Sequence, residues 1–407
     1  MNIARGVVRK EPNYVYYWLK FLVGFSFGLI SPVYAILLFS KGLNAFQVGM
    51  INLVFVLGNV FFSLPAGALA DSWGRKKTFI VSTLFQGSAF LAYAFGQSWP
   101  FFALGEFLSS IGFVAMIGVL EAWVVDAWRS PAIRLDTEEE EYGFLFSRAE
   151  VAGNSASIIG GILGGLLGAV SLQLPFLIGA ITNFSVLPMA LILMKEEWVE
   201  RKLKIKQVIS KSLKTLIEGT KEGLKNRLIS RVALFAGMTM VGLKALDMYW
   251  SKRFVDLALG RVWITGYLWP LMMIFMVMGS FMVKWWSERK KDYLVGLKGM
   301  ALLMSVTIFL SAVLKNFYFP VFFFLLYEIG RGFYRPALLG YFNKVVSYQK
   351  RATILAFSNM AIWSGAAIGL LTLGWIAKRF SIEWAWLGAS VVFLLAIIPI
   401  LRLKKMC

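Results

Sequence analysis

The 407-residue chain is 58% hydrophobic and 16% aromatic with 16% charged residues, more apolar side chain than a soluble surface can carry, which excludes a soluble globular protein. Its net charge of +20 comes from cations flanking apolar runs, so membrane topology explains it better than nucleic acid does. Histidine is absent and the one cysteine, Cys407, is the last residue, which leaves no disulfide framework, metal cluster, thiol nucleophile or imidazole switch.

A helix needs about 20 apolar residues to cross the hydrocarbon, and twelve such spans use roughly 250 residues, leaving short loops. Apolar runs and their polar breaks predict spans near 13–39, 45–70, 77–97, 100–127, 148–170, 174–194, 230–255, 262–286, 292–314, 319–346, 351–377 and 383–403. The first run reaches Ser40 and is long enough to span, so no cleavable signal is evident. Arg5, Arg9 and Lys10 precede it, Arg75 to Lys77 follow the second span, Arg289 to Lys291 the eighth, and Arg402, Lys404 and Lys405 the twelfth. The positive-inside bias places all of these, and both termini, in the cytoplasm. After the fourth span the stretch "RSPAIRLDTEEEEYGF", with its acidic run at 136–141, reads as a solvated loop.

The one long break, Lys195 to Arg231, carries eleven Lys or Arg against five Glu. It predicts an N-terminal six-helix bundle at 1–194, a basic linker at 195–229 and a C-terminal six-helix bundle at 230–407. Ile205, Val208, Ile209, Leu213, Leu216, Ile217, Leu224 and Leu228 recur at helical spacing along the linker. That pattern describes an amphipathic helix, either lying on anionic lipid headgroups or solvated as an ordinary connector. The halves also look related: Glu106 and Glu328 fall at one depth of the fourth span of each half, and "SRAEVAG" matches "KRATILAFSN" one span later. A duplication of this kind is common in transporter folds.

Between the second and third spans Gly67, Leu69, Asp71, Gly74, Arg75 and Lys76 stand in a G-x-L-x-D-x-x-G-R-K arrangement. With the twelve spans and the basic central loop, the chain resembles the major facilitator superfamily of secondary transporters over essentially its whole length. The residues explain themselves in part: Gly67 permits close helix approach, Gly74 a tight turn, and Asp71 with Arg75 an ion pair at the membrane edge. The resemblance implies a conformational latch made of Gly67, Asp71, Gly74 and Arg75, completed by an acid at the end of the fourth span, here Asp126. "ASIIGGILGG", residues 156–165, resembles a fifth-span motif of drug:proton antiporters, with Gly161 where that motif has proline. Gly160, Gly161, Gly164 and Gly165 within it are expected to pack helices closely.

In this superfamily the first, fourth, seventh and tenth spans line the central cavity, and ionisable residues inside spans usually face a cavity or a partner. The first offers Tyr16, Tyr17, Tyr34 and Lys20, the last close enough to the end to snorkel and given little weight. On the fourth, Glu106 and Glu121 are about 60° apart at 100° per residue, so both can look inward, whereas Asp126 lies about 140° from Glu121. Lys244 and Asp247 share a face of the seventh, and Glu328, Arg331 and Arg335 a face of the tenth. These five are the candidate substrate cavity, and structural pairing of Lys244 with Asp247 and of Glu328 with Arg331 is the plainer alternative. Glu121, and after it Glu106, are the candidate proton carriers.

The expected function is secondary transport of a small organic molecule across the plasma membrane by a multi-pass monomer, using alternating access and no cofactor or metal. Proton-coupled efflux of an amphipathic compound leads; proton-coupled or facilitated uptake of a small anionic solute is the alternative. A polytopic membrane enzyme would need a nucleophile or metal array that the composition lacks, and a non-transporting receptor would not need charged faces in both halves.

Overall fold

The computed structural model describes residues 2–129, 139–195, 205–289, 292–347, 350–401 and 403. Among these, every regular element is helical: α1 (Asn2–Ile30), α2 (Tyr34–Ser40), α3 (Ala45–Trp73), α4 (Arg75–Phe95), α5 (Trp99–Met116), α6 (Val119–Arg129), α7 (Glu139–Val170) and α8 (Leu174–Leu193). There follow α9 (Ile205–Lys225), α10 (Arg227–Leu257), α11 (Ile264–Glu288), α12 (Tyr293–Val313), α13 (Tyr318–Val345), α14 (Arg351–Arg379), α15 (Ile382–Ala396) and α16 (Ile398–Leu401). Hydrocarbon offers no partner for backbone N–H and C=O groups, and a helix satisfies them internally. Among the described residues, eleven spans are long and apolar enough to cross a membrane. The twelfth expected span is α13, 28 residues long but interrupted at its centre by Glu328, Arg331 and Arg335.

Helix starts follow capping chemistry where the chain leaves the apolar regime. Asn226 accepts from the N–H groups of Leu228 and Ile229 at 3.0 and 3.3 Å, opening α10, and Asp292 accepts from Leu294 at 2.9 Å, opening α12. Either contact satisfies a donor that the helix itself leaves unpaired. Gly74 is the whole connection between α3 and α4, at φ +98°, a conformation that disfavours any residue with a Cβ.

Three expected continuous spans are broken, the last in the chain only at Ile397, between α15 and α16. The first stops at Ile30 and resumes at Tyr34, across Ser31, Pro32 and Val33, because proline has no N–H to donate and its ring crowds the preceding turn. The fourth stops at Met116 and resumes at Val119, with Gly118 at φ +72°. The acidic run also differs from the expected loop: Glu139, Glu140 and Glu141 form the first turn of α7, where the partial positive charge of the helix start favours carboxylates. The remainder of that stretch, 130–138, lies outside the described residues, as do Lys290, Lys291, Arg402, Lys404, Lys405 and Cys407.

Contacts divide the chain into two compact units: Met1–Leu37, Leu57–Ser210 and Thr265–Tyr267 form unit 1, and Leu38–Val56, Lys211–Ile264 and Leu268–Cys407 form unit 2. In unit 1, α7 packs along α1 through small residues. A Cβ on Gly160 would come within 2.4 Å of the Phe25 carbonyl oxygen and one on Gly164 within 2.0 Å of that of Leu29. Gly161 and Gly165 sit instead against the backbone at Gly266. In unit 2, α14 meets α10 in the same manner, a Cβ on Gly365 falling 2.0 Å from the Gly237 carbonyl oxygen. With no hydrophobic drive between helices in lipid, such backbone proximity and its dispersion contacts are what hold spans together. Unit 2 also draws in the start of α3: the Tyr249 hydroxyl donates to the Ala45 carbonyl at 3.0 Å. Large side chains such as Phe61, Val170, Ile192 and Phe281 remain exposed on the helices, as a lipid-facing surface requires.

Candidate functional site

Unit 1 holds a cavity of about 440 Å³ whose walls include Phe27, Phe113, Met116 and Leu120, with Asn154 and Ser157 among its polar groups. Lys20, Glu121 and Glu150 all open onto it. The Lys20 ammonium donates to Glu121 at 2.9 Å and to Glu150 at 2.6 Å, and the fully buried Tyr16 hydroxyl donates to Glu121 at 3.3 Å. One lysine is thus shared by two carboxylates drawn from α6 and α7. The break at Gly118 puts Glu121 in the first turn of α6, where unpaired backbone N–H groups add positive potential.

This placement changes what was expected of three residues. Lys20 is not a snorkelling terminus residue but the partner of Glu121, 101 positions away. The helical arithmetic relating Glu106 to Glu121 fails because α5 and α6 are separate helices. Glu106 is buried on α5 and accepts from the Tyr34 hydroxyl, to which Tyr93 donates in turn at 3.3 Å. Trp123 turns the other way, its indole donating to the Lys195 carbonyl at 3.1 Å within the core.

Unit 2 repeats the charge pattern on α10 and α13. Arg331 contacts Asp247 at 2.8 Å and Glu328 at 3.2 Å. Asp247 therefore pairs across helices rather than with Lys244, whose shared face on α10 does not bring it within ion-pair distance of any carboxylate among the described residues; the same holds for Arg335. The two helices run antiparallel here, since Tyr334, three residues beyond Arg331, donates to the Ala236 carbonyl, eleven residues before Asp247.

At the turn between α3 and α4, Arg75 bonds Asp71 at 2.8 Å and stands 3.7 Å from Asp126. Gly74 makes this possible: its positive φ folds α4 back so that residues four apart meet across the end of one helix and the start of the next. Gly67 lies in α3, and its surroundings fall outside the described residues. Sequence reasoning missed the Arg253–Glu383 ion pair, in which the nearly buried guanidinium also approaches the Leu314 carbonyl at 3.4 Å. Both charges sit near helix ends, where a cation at a span's terminus looks like ordinary topology.

Comparison with known proteins identifies the family and the fold. The family model described as "Major Facilitator Superfamily" matches residues 17–369. The chain is 20% identical to the MFS-type transporter YxaM of Bacillus subtilis (strain 168), covering 94% of each chain. It is 24% identical to the quinolone resistance protein NorA of Staphylococcus aureus (strain MSSA476), covering 82% of this chain and 81% of that one. Among solved structures, the nucleoside transporter NupG superposes with a TM-score of 0.79 at 14% identity, covering 97% of this chain and all of that one, a likeness of fold alone. An all-helical chain of membrane spans, with this turn and this match over most of its length, belongs to the major facilitator superfamily of membrane transporters, as a multi-pass plasma-membrane protein and not an enzyme.

Proposed function

We propose that this transporter exports an amphipathic organic compound bearing positive charge, in exchange for protons, and that Lys20, Glu121 and Glu150 form the exchanging site. The observation that carries the reading is the sharing of Lys20 by two carboxylates beside an apolar-walled cavity. One cation cannot neutralise two anions, so with all three groups ionised the cluster carries an excess negative charge. Either an organic cation lodged against Phe27 and Phe113 or a proton on one carboxylate compensates it. Two ligands that satisfy the same charge displace each other, which is the requirement for exchange. The similarity to a quinolone resistance protein supports the direction. Asp71, Arg75 and Asp126 serve as the latch, an ion-pair set at a helix junction that can be made in one conformation and broken in the other. The two six-helix halves flanking the linker are the parts that move.

A second reading has its own observation. Lys244 and Arg335, without a carboxylate in reach among the described residues, suit a small anionic solute taken up with a proton or by facilitated passage. A thermal-shift screen of the purified protein with amphipathic cations and small anions separates the two. Hits confined to cations, followed by flux of the hit driven by a pH jump in proteoliposomes, support export; hits confined to anions overturn it.

A further inference from the structure

The amphipathic pattern of helix α9 suits a lipid surface or water, and the helix also packs against protein. Its end docks on α14: a Cβ on Gly219 would fall 2.5 Å from the Thr353 carbonyl oxygen and one on Gly223 2.3 Å from the Phe357 ring. Lys350 pairs with Glu222 at 2.5 Å alongside. These contacts take up only one side of the helix. At 100° per residue Ile217 and Leu224 lie about 160° and 140° round from Gly219, and Lys214, Lys221 and Lys225 follow on the same far side. Ile217 is 55% and Leu224 63% exposed, and all three lysines are exposed. The one other described acid of that side, Glu218, reaches only Lys214, at 4.0 Å.

What covers this face follows from where the helix ends. Asn226 alone separates α9 from α10, a membrane-spanning helix, so α9 ends at the bilayer surface. A helix with bulky aliphatic residues beside a row of lysines seats the former at the headgroup boundary and the latter on phosphates, and each such cation near an anionic surface strengthens binding. We infer that α9 is bivalent: its glycine side clamps α14, and its opposite side binds anionic lipid headgroups, with Ile217 and Leu224 in the interface and Lys214, Lys221 and Lys225 on the phosphates. Because α14 packs along α10 through Gly365 and Gly237, lipid charge would thereby act on the helix pair that organises unit 2.

Spin labels at Ile217→Cys and Leu224→Cys, each in a Cys407→Ser background, test this in full-length protein reconstituted into phosphatidylcholine vesicles with and without phosphatidylglycerol. The expected result is that phosphatidylglycerol shifts both labels toward higher oxygen and lower aqueous-relaxer accessibility, while a label at Glu218→Cys stays water-exposed. Combined Lys214→Gln, Lys221→Gln and Lys225→Gln should abolish the shift. Aqueous accessibility at 217 and 224 in the anionic vesicles, or a shift that persists in the triple variant, overturns the proposal. A failure here leaves the proposed exchange site untouched, since neither labels nor lysines line the unit 1 cavity.

Discussion

In unit 1 a lysine is shared by Glu121 and Glu150 beside an open cavity; in unit 2 an arginine is shared by Asp247 and Glu328, and Glu328 is 1% exposed. The charge count is the same and the surroundings are not. Glu150, at 59% exposure, keeps most of its hydration, so exchanging one partner for another costs little. Glu328 has lost its hydration and depends on Arg331, whose planar fork offers separate donors to two acids at once. Lysine, a compact charge on a flexible stem, suits a site whose occupants change. The comparison teaches that a repeated charge pattern need not repeat a role: the buried copy is built to hold helices together, and the open copy is the one proposed to exchange ligands.

Removing each cation should expose that difference most sharply. Arg331→Met leaves two carboxylates stranded and should cost about 3 kcal/mol or more, read as a large drop in Tm; adding Asp247→Asn and Glu328→Gln should restore most of it. An unchanged Tm in the single variant would contradict a structural role. The glycine contacts come next and should behave alike in both units. Gly164→Ala and Gly365→Ala each drive a Cβ to 2.0 Å from a backbone oxygen and should cost about 1 to 3 kcal/mol by overpacking; a neutral effect in one and not the other would show that the two packings are not equivalent. Lys20→Met should cost only about 0 to 1 kcal/mol, as partly hydrated pairs do, yet abolish proton-driven transport, so Tm and flux separate where in Arg331→Met they fall together. Smallest is Asp126→Asn: Arg75 retains Asp71 at 2.8 Å and gives up its longer, 3.7 Å contact, so stability should fall by about 0.5 kcal/mol or less, and by less than for Asp71→Asn.

Local chemistry was legible in the sequence and long-range pairing was not. Periodicity located the spans, glycine at 74 announced the turn, and Glu328 with Arg331 follows from three-residue spacing on a helix. The breaks at Pro32 and Gly118 were hidden because the apolar composition continues straight through them, and hydropathy is blind to a missing N–H or a positive φ. Once α5 and α6 are separate, angular bookkeeping across them has no meaning, so Glu106 and Glu121 could not be related correctly. Lys20 with Glu121 and Arg331 with Asp247 depend on which helices lie side by side, and nothing in residue spacing encodes that. Lys244 beside Asp247 looked like a pair for the opposite reason: spacing permits it, and the neighbouring helix supplies a better-placed guanidinium.

The most direct test of the proposed exchange site is Glu121→Gln in proteoliposomes, measuring uphill transport of an identified substrate under an imposed pH gradient alongside substrate counterflow with no gradient. The amide removes the negative charge for which proton and cation compete while keeping an acceptor for Lys20 and Tyr16. Loss of gradient-driven transport with counterflow retained is the predicted result; gradient-driven transport at the wild-type rate would contradict the account.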